Sequence, residues 1–352
     1  MSEELRIDIK SMTLPELTAL MKDWGESGFR AGQLFSWLHE KRVQDWSEMT
    51  NLSAALRQKL AERCTLTQLT VLHRLVSSID GTQKYLYRLA DSNCIETVLM
   101  KYKHGNSLCI STQVGCRMGC NFCASTLGGL VRHLTPSEML EQVYETVRQS
   151  GERVDSLVLM GIGEPLDNYD NVIRFLRLLT DPKGYNLGQR HISLSTCGLV
   201  DRIYDLAKED LGITLSISLH APDNETRNKT MPVNRRWPVE QLMQACRDYF
   251  KTTGRRISFE YALIKGVNDS PADAQRLAKL LDGMICHVNL IPVNPVKERG
   301  YDRTAQQDIR RFVDTLGRLG VNATVRRELG SDINAACGQL RRQYEQGEEA
   351  KA

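Results

Sequence analysis

The sequence predicts an α/β protein in which six β/α units form an open, partial barrel, with a small helical segment before it and an extension after it. Three observations carry that expectation. Six short β-rich runs alternate with stretches of helical period between Leu108 and Leu319. Polar or glycine-rich loops follow five of those runs. The residues ahead of them instead space their apolar side chains as an amphipathic helix does.

Taken in order, Leu14, Leu17, Leu20 and Met21, then Phe29, Leu34, Phe35 and Leu38, fall at helical spacing, and Asn51-Leu52-Ser53 can cap a helix containing Leu56 and Leu60. Residues 1 to about 80 thus read as helical, and residues 1–83 as an accessory domain. From Lys84 the period falls to two. Tyr85 to Leu89 and Ile95 to Met100 read as a hairpin turning near Asp91-Ser92-Asn93. The six strands of the barrel are expected at Leu108 to Thr112, Ser156 to Met160, His191 to Ser195, Ile213 to Ser218, Ile257 to Ala262 and His287 to Ile291. Helices are expected after each, at Ser137 to Arg148, Tyr169 to Leu179, Leu199 to Ala207, Pro238 to Phe250, Pro271 to Leu281 and Thr304 to Leu319. Such alternation implies parallel strands joined by right-handed crossovers. An eightfold barrel needs ~250 residues, more than this stretch supplies, so the barrel stays open, with a seventh strand at Ala323 to Val325. Residues 84–325 form the barrel and its preceding strands, and residues 326–352 the extension.

Composition narrows the function. In a chain of 352 residues, 41% apolar content fills a sizeable core. A net charge of +3 means that any nucleic-acid contact must come from local patches, for which the Arg235-Arg236, Arg255-Arg256, Arg310-Arg311, Arg326-Arg327 and Arg341-Arg342 pairs are candidates. The acidic opening Met1-Ser2-Glu3-Glu4 has no secretory h-region, and no apolar run reaches the ~20 residues of a membrane span. A cytoplasmic location is expected, where ten cysteines stay as thiols or bind metal.

Ligand chemistry in such a barrel belongs at the carboxyl ends of the strands. There the first loop carries Cys116, Cys120 and Cys123. Three thiolates at this spacing can hold three irons of a four-iron cluster and leave the fourth iron open to a ligand. A structural zinc knot completed by His104, His133 or Cys109 is the bland alternative, but no second C-x-x-C knuckle accompanies it. The second loop, Gly161 to Pro165, reads as a tight turn in which Glu164 can accept a bond from a bound ammonium. His220 ends the fourth strand, on the same rim. Cys64, Cys94, Cys246 and Cys286 read as buried small hydrophobes, and Cys197 stays undecided. Cys337 is different: it sits beside Gly338 among small residues that permit close approach to the rim.

With the triplet, the second loop and six β/α units in place, the sequence resembles the radical S-adenosylmethionine (SAM) superfamily. Cys109 to Cys116, Met160 to Pro165, Ser218 to Pro222, Met231 to Asn234 and Asp332 to Leu340 resemble, more closely, the RlmN/Cfr family of RNA adenosine methyltransferases. The similarity runs from about Tyr85 to Leu340, and Phe29 to Phe35 fits the family's amino-terminal region, which makes residues 1–83 a candidate RNA-binding domain by resemblance. It implies a partial (β/α)6 radical SAM barrel with one 4Fe-4S cluster on Cys116, Cys120 and Cys123. It also implies two S-adenosylmethionine molecules per turnover, held by Gly163, Glu164, Ser195, Ser218, Leu219, His220 and Asn294. By the same resemblance Cys337 is methylated first, its methyl group is activated by a radical, and Cys109 resolves the RNA adduct through a transient disulfide with Cys337. Glu96 matches the proposed proton acceptor, with Cys109 the alternative. Glu164-Pro165 and Pro292 to Pro295 match the branch that methylates adenosine C2 rather than C8. The implied partners are 23S rRNA at the peptidyl transferase centre, tRNA at the adenosine 3′ of the anticodon, and a reductant such as flavodoxin or ferredoxin, acting on a monomer. Two other readings compete: a radical enzyme acting on a small molecule or peptide, which leaves Cys337 without a role, and a zinc-knot protein that binds RNA without catalysis.

Overall fold

The apolar spacing of the first segment builds α1 (Leu14–Asp23), α2 (Phe29–Phe35) and α3 (Ala54–Arg63) in the computed structural model, which describes residues 6–294, 300–333, 335, 340, 341 and 344. A capping box between Thr13 and Glu16 starts α1, with Pro15 in its first turn. Leu17, Met21, Leu34, Phe35, Leu56 and Leu60 are buried in one core that continues into the barrel. A short parallel pair, β1 (Ile7–Asp8) and β2 (Cys64–Thr65), closes this segment.

The expectation of helix up to about residue 80 is corrected. Thr70–Val76 is a strand, β3, paired antiparallel with β4 (Gln83–Arg88), which pairs with β5 (Cys94–Tyr102) and that with β6 (Gly105–Cys109). β3 escaped the pattern because a register shift between Val71 and His73 interrupts its alternation and, as an edge strand, it buries no full face. The expected first barrel strand also ends early, at Cys109, where the chain leaves the sheet toward a small hairpin of β7 (Gln113–Gly115) and β8 (Leu130–His133).

From β6 the sheet is parallel: β9 (Ser156–Leu159), β10 (Ile192–Thr196), β11 (Thr214–Ser218), β12 (Ile257–Leu263), β13 (Cys286–Pro292) and β14 (Ala323–Val325) follow in spatial order. The expected seventh strand is thus β14, and among the described residues the sheet holds ten strands. Its crossovers are α4 (Pro136–Ser150), α5 (Tyr169–Thr180), α6 (Val200–Leu206), α7 (Asn224–Thr230), α8 (Val239–Thr253), α9 (Pro271–Leu280) and α10 (Gln306–Arg318). Among the described residues no helix is long and apolar enough to cross a membrane.

The amino-terminal segment docks on α4 through buried polar groups. Lys10 Nζ lies 2.6 Å from Glu141 Oε1, and both side chains are fully buried. His39 is carried inward on a π-helical continuation of α2, Ser36–Lys41, and its Nδ1 meets the Tyr144 hydroxyl at 3.0 Å. Burial lowers the His39 pKa from 6.5 to about 3, so the unfolded chain takes up the proton first as pH falls. His39 therefore contributes stability above pH 6.5 that is lost as pH drops toward 3. Thermal unfolding followed between pH 7 and 4 is expected to show a falling melting temperature, with a shallower slope in His39→Gln; equal slopes would remove His39 as a cause.

Candidate active site

The carboxyl ends of the parallel strands open on a cavity of about 280 Å³ lined by Cys116, Cys120, Cys123, Gly163, Glu164, Ser195, Ser218, His220 and Asn294. Leu219 is the one predicted cavity residue that does not line it. Its side chain is in the core, while its N–H donates to the Glu260 carbonyl at 3.0 Å.

The cysteine loop is shaped by backbone contacts. Gly115 has φ +76°, and a Cβ there would stand 2.0 Å from the Gly129 carbonyl oxygen, to which Cys116 N–H donates at 2.8 Å. Cys123 N–H closes back on the Cys120 carbonyl at 3.1 Å, and Asn121 N–H donates to the Thr230 carbonyl at 2.8 Å, pinning the loop to α7. Burial raises the Cys116 thiol to about 12 and Cys120 further, so the free thiols hold their protons and a metal must replace them. Among the described residues no three His, Cys, Asp or Glu side chains close on a single ion, and none of the proposed fourth zinc ligands, His104, His133 or Cys109, lines this cavity. Three soft sulfurs spread around one cavity fit a cluster in which each thiolate takes its own iron.

Gly163 has φ +112°, and a Cβ there would fall 2.7 Å from that of Gln113, so glycine lets the second loop lie against the first. Glu164 next to it is 3% exposed. Its Oε2 accepts from Cys197 N–H at 2.7 Å and its Oε1 from Leu166 N–H at 3.0 Å, while burial pushes its pKa up against those bonds. Glu164 thereby ties the second loop to the end of β10 as well as facing the cavity. His220 also does two things. Its Nδ1 accepts from Ala262 N–H at 2.9 Å, which assigns the proton to Nε2, and burial holds the ring neutral with a pKa of about 3. Ser195 and Ser218 hydroxyls stand 3.3 Å apart across β10 and β11.

A second cavity, also of about 280 Å³, is lined by Val98, Met100, Cys109, Leu329 and Ala335, and it shares Met160, Asn294 and Arg326 with the first. Period-two alternation sets Glu96, Val98 and Met100 on one face of β5. Glu96 is buried, with Oε2 3.1 Å from Lys84 Nζ and Oε1 accepting from Arg341 N–H at 2.7 Å. Cys337 lies outside the described residues. Before it, Asp332 accepts from Ser78 N–H at 2.8 Å and Gly330 N–H donates to Asp80 at 2.9 Å; after it, Leu340 packs with Leu86 and Cys94. Sequence reading missed Arg227 and Glu260, buried polar groups that lie outside the stretches singled out by motif. Cys197, left undecided, proves to be a buried member of the first cavity's wall.

The model of the radical SAM superfamily matches residues 110–278, and that of the ribosomal RNA large subunit methyltransferase N-terminal domain matches residues 7–66. Among curated relatives, a protein of Lachnoclostridium phytofermentans named probable dual-specificity RNA methyltransferase RlmN is 56% identical over 339 residues, covering 96% of this chain and 95% of its own length. The chain belongs to the RlmN family of radical SAM methyltransferases. A relative of the same name from Desulforamulus reducens is 52% identical, covering 97% of each chain. The crystal structure of a radical SAM methyltransferase from Sphaerobacter thermophilus superposes with a TM-score of 0.90 at 44% identity, covering 95% of this chain and 98% of that one. The RlmN amino-terminal match ends at Leu66, ahead of β3, which agrees with Thr70–Val76 belonging to the large sheet. Membership of the superfamily implies a 4Fe-4S cluster and S-adenosylmethionine.

Proposed function

We propose that this protein methylates C2 of an adenosine in 23S rRNA at the peptidyl transferase centre, and the adenosine 3′ of the anticodon in tRNA. The observation that carries the reading is a pair of cavities that share Met160, Ile291, Asn294 and Arg326, one lined by the cysteine triplet and the other by Cys109, with the tail residue Ala335 against the second. Cys116, Cys120 and Cys123 would hold the cluster. Gly163, Glu164, Ser195, Ser218, His220 and Asn294 would face S-adenosylmethionine, with His220 offering its Nε2–H as a donor. When bound, the reduced cluster supplies the electron that cleaves S-adenosylmethionine and starts radical transfer.

The chain's own thiols do the rest. Cys337 carries the methyl group as a thioether, so that the carbon reaching the adenine comes from the protein. Once that carbon is bonded to the adenine, the Cys109 thiolate attacks the Cys337 sulfur: the S–S bond forms as the S–C bond breaks, the carbon leaves with the electron pair and takes up a proton to become the product methyl group, and an external reductant must reopen the disulfide. Glu96 or Cys109 takes the ring proton. Each cycle consumes two S-adenosylmethionine molecules, and flavodoxin or ferredoxin is the expected class of electron donor. The protein is expected to act in the cytoplasm as a monomer.

The test is mass spectrometry of ribosomal and transfer RNA after anaerobic incubation of the reconstituted protein with methyl-labelled S-adenosylmethionine. Label in 2-methyladenosine from both RNAs is expected; label at C8 would move the chain to the other branch, and unlabelled RNA would sink the assignment.

A further inference from the structure

We propose that Arg227 is the buried counter-charge of the cysteine loop and that it raises the reduction potential of the cluster held there. Arg227 projects from α7 into the barrel wall and is completely buried. Its Nε donates to the Leu219 carbonyl at 3.0 Å, Nη1 to Asn234 Oδ1 at 3.0 Å, and Nη2 to the Cys197 carbonyl at 2.6 Å and the Ser218 carbonyl at 3.3 Å. Every acceptor is neutral, and among the described residues no carboxylate bonds to this guanidinium. A cation removed from water without an anionic partner is expensive to keep.

Helix α7 reaches the cysteine loop directly, since the Thr230 carbonyl accepts from Asn121 N–H at 2.8 Å, between Cys120 and Cys123. Cys197, whose carbonyl binds the guanidinium, lines the same cavity as the triplet. Burial weakens the hold of Arg227 on its proton, and the sulfurs of Cys197, Cys120 and Cys246 oppose that effect. Three thiolates around an iron cluster supply the missing anion, and the cluster becomes more negative when it accepts an electron. A fixed positive charge in a water-poor wall favours that reduced form more than the oxidised one, which raises the potential.

The experiment is a redox titration, followed by electron paramagnetic resonance, of anaerobically reconstituted holoprotein. At the wild-type midpoint, Arg227→Gln is expected to lower the reduced-to-oxidised ratio about tenfold, or about 59 mV for one electron. Arg227→Lys keeps the charge and is expected to titrate with the wild type. Asn234→Asp places a carboxylate on the guanidinium, giving up the bonds from Asn234 Nδ2 to Asn224 and Asn228, and its potential is expected to fall as well. Asn234→Asp decides the matter if Arg227→Gln takes up no iron. Wild-type potentials in every iron-loaded charge variant, or a fall in Arg227→Lys as large as in Arg227→Gln, would overturn the role of Arg227. The inference rests on the cysteine loop holding a four-iron cluster, and a wild-type protein that binds no iron would sink that reading separately.

Discussion

Cys337→Ala is expected to abolish methyl transfer to RNA, at least a thousandfold by the usual scale of losing a covalent nucleophile, while the iron cluster assembles as in the wild type. The reason is a division of labour among thiols. Cys116, Cys120 and Cys123 line the first cavity and are the proposed cluster ligands, whereas the described residues flanking Cys337 sit at the second cavity and on the antiparallel strands. Iron content, the cluster's absorbance and transfer of label measured on one preparation separate the two outcomes. Full labelling of RNA by Cys337→Ala would end the carrier mechanism; a preparation without iron would show that this thiol is needed for the cluster instead. In Cys109→Ala the carrier remains and its resolution is blocked, so a covalent protein–RNA adduct is expected on denaturing gels.

Glu141→Gln is expected to cost about 3–5 kcal/mol of stability, the usual scale for breaking a buried ion pair. Glu141 is fully buried on α4 and bridges Lys10 at 2.6 Å and Arg148 at 2.5 Å. Removing its charge strands the fully buried Lys10 ammonium, whose remaining bond is to the Thr67 carbonyl at 2.8 Å. Because Lys10 and Thr67 belong to the amino-terminal segment, the damage falls on its docking to the barrel. Equilibrium denaturation measures it, and Lys10→Met in the same chain should recover part of the loss, since an apolar side chain in place of the ion needs no partner. A single variant within about 1 kcal/mol of the wild type would mean that water reaches Lys10.

Much of this architecture was readable because it is periodic. The barrel strands are short β-rich runs and the helices amphipathic stretches, so Tyr169–Thr180 and Pro271–Leu280 stand within a residue of where the pattern put them. Thr70–Val76 failed because its half-exposed, bulged edge carries no such signal. In the site, motif residues were legible through their spacing: Cys116, Cys120 and Cys123 share one loop, and Gly163-Glu164 another. Arg227 was not, because its meaning lies in four acceptors on three separate segments of chain.

By itself, then, the sequence determined the alternation of strands and helices, the cysteine triplet and the family to which the chain is similar, since these depend on neighbours along the chain. Only the tertiary structure decided that Glu164 bonds to Cys197, that Glu96 meets Arg341, and that Arg227 stands buried behind the cysteine loop. These contacts join residues 33, 245 and 30 positions apart, distances over which chain periodicity carries no information and only burial against a common core brings groups together.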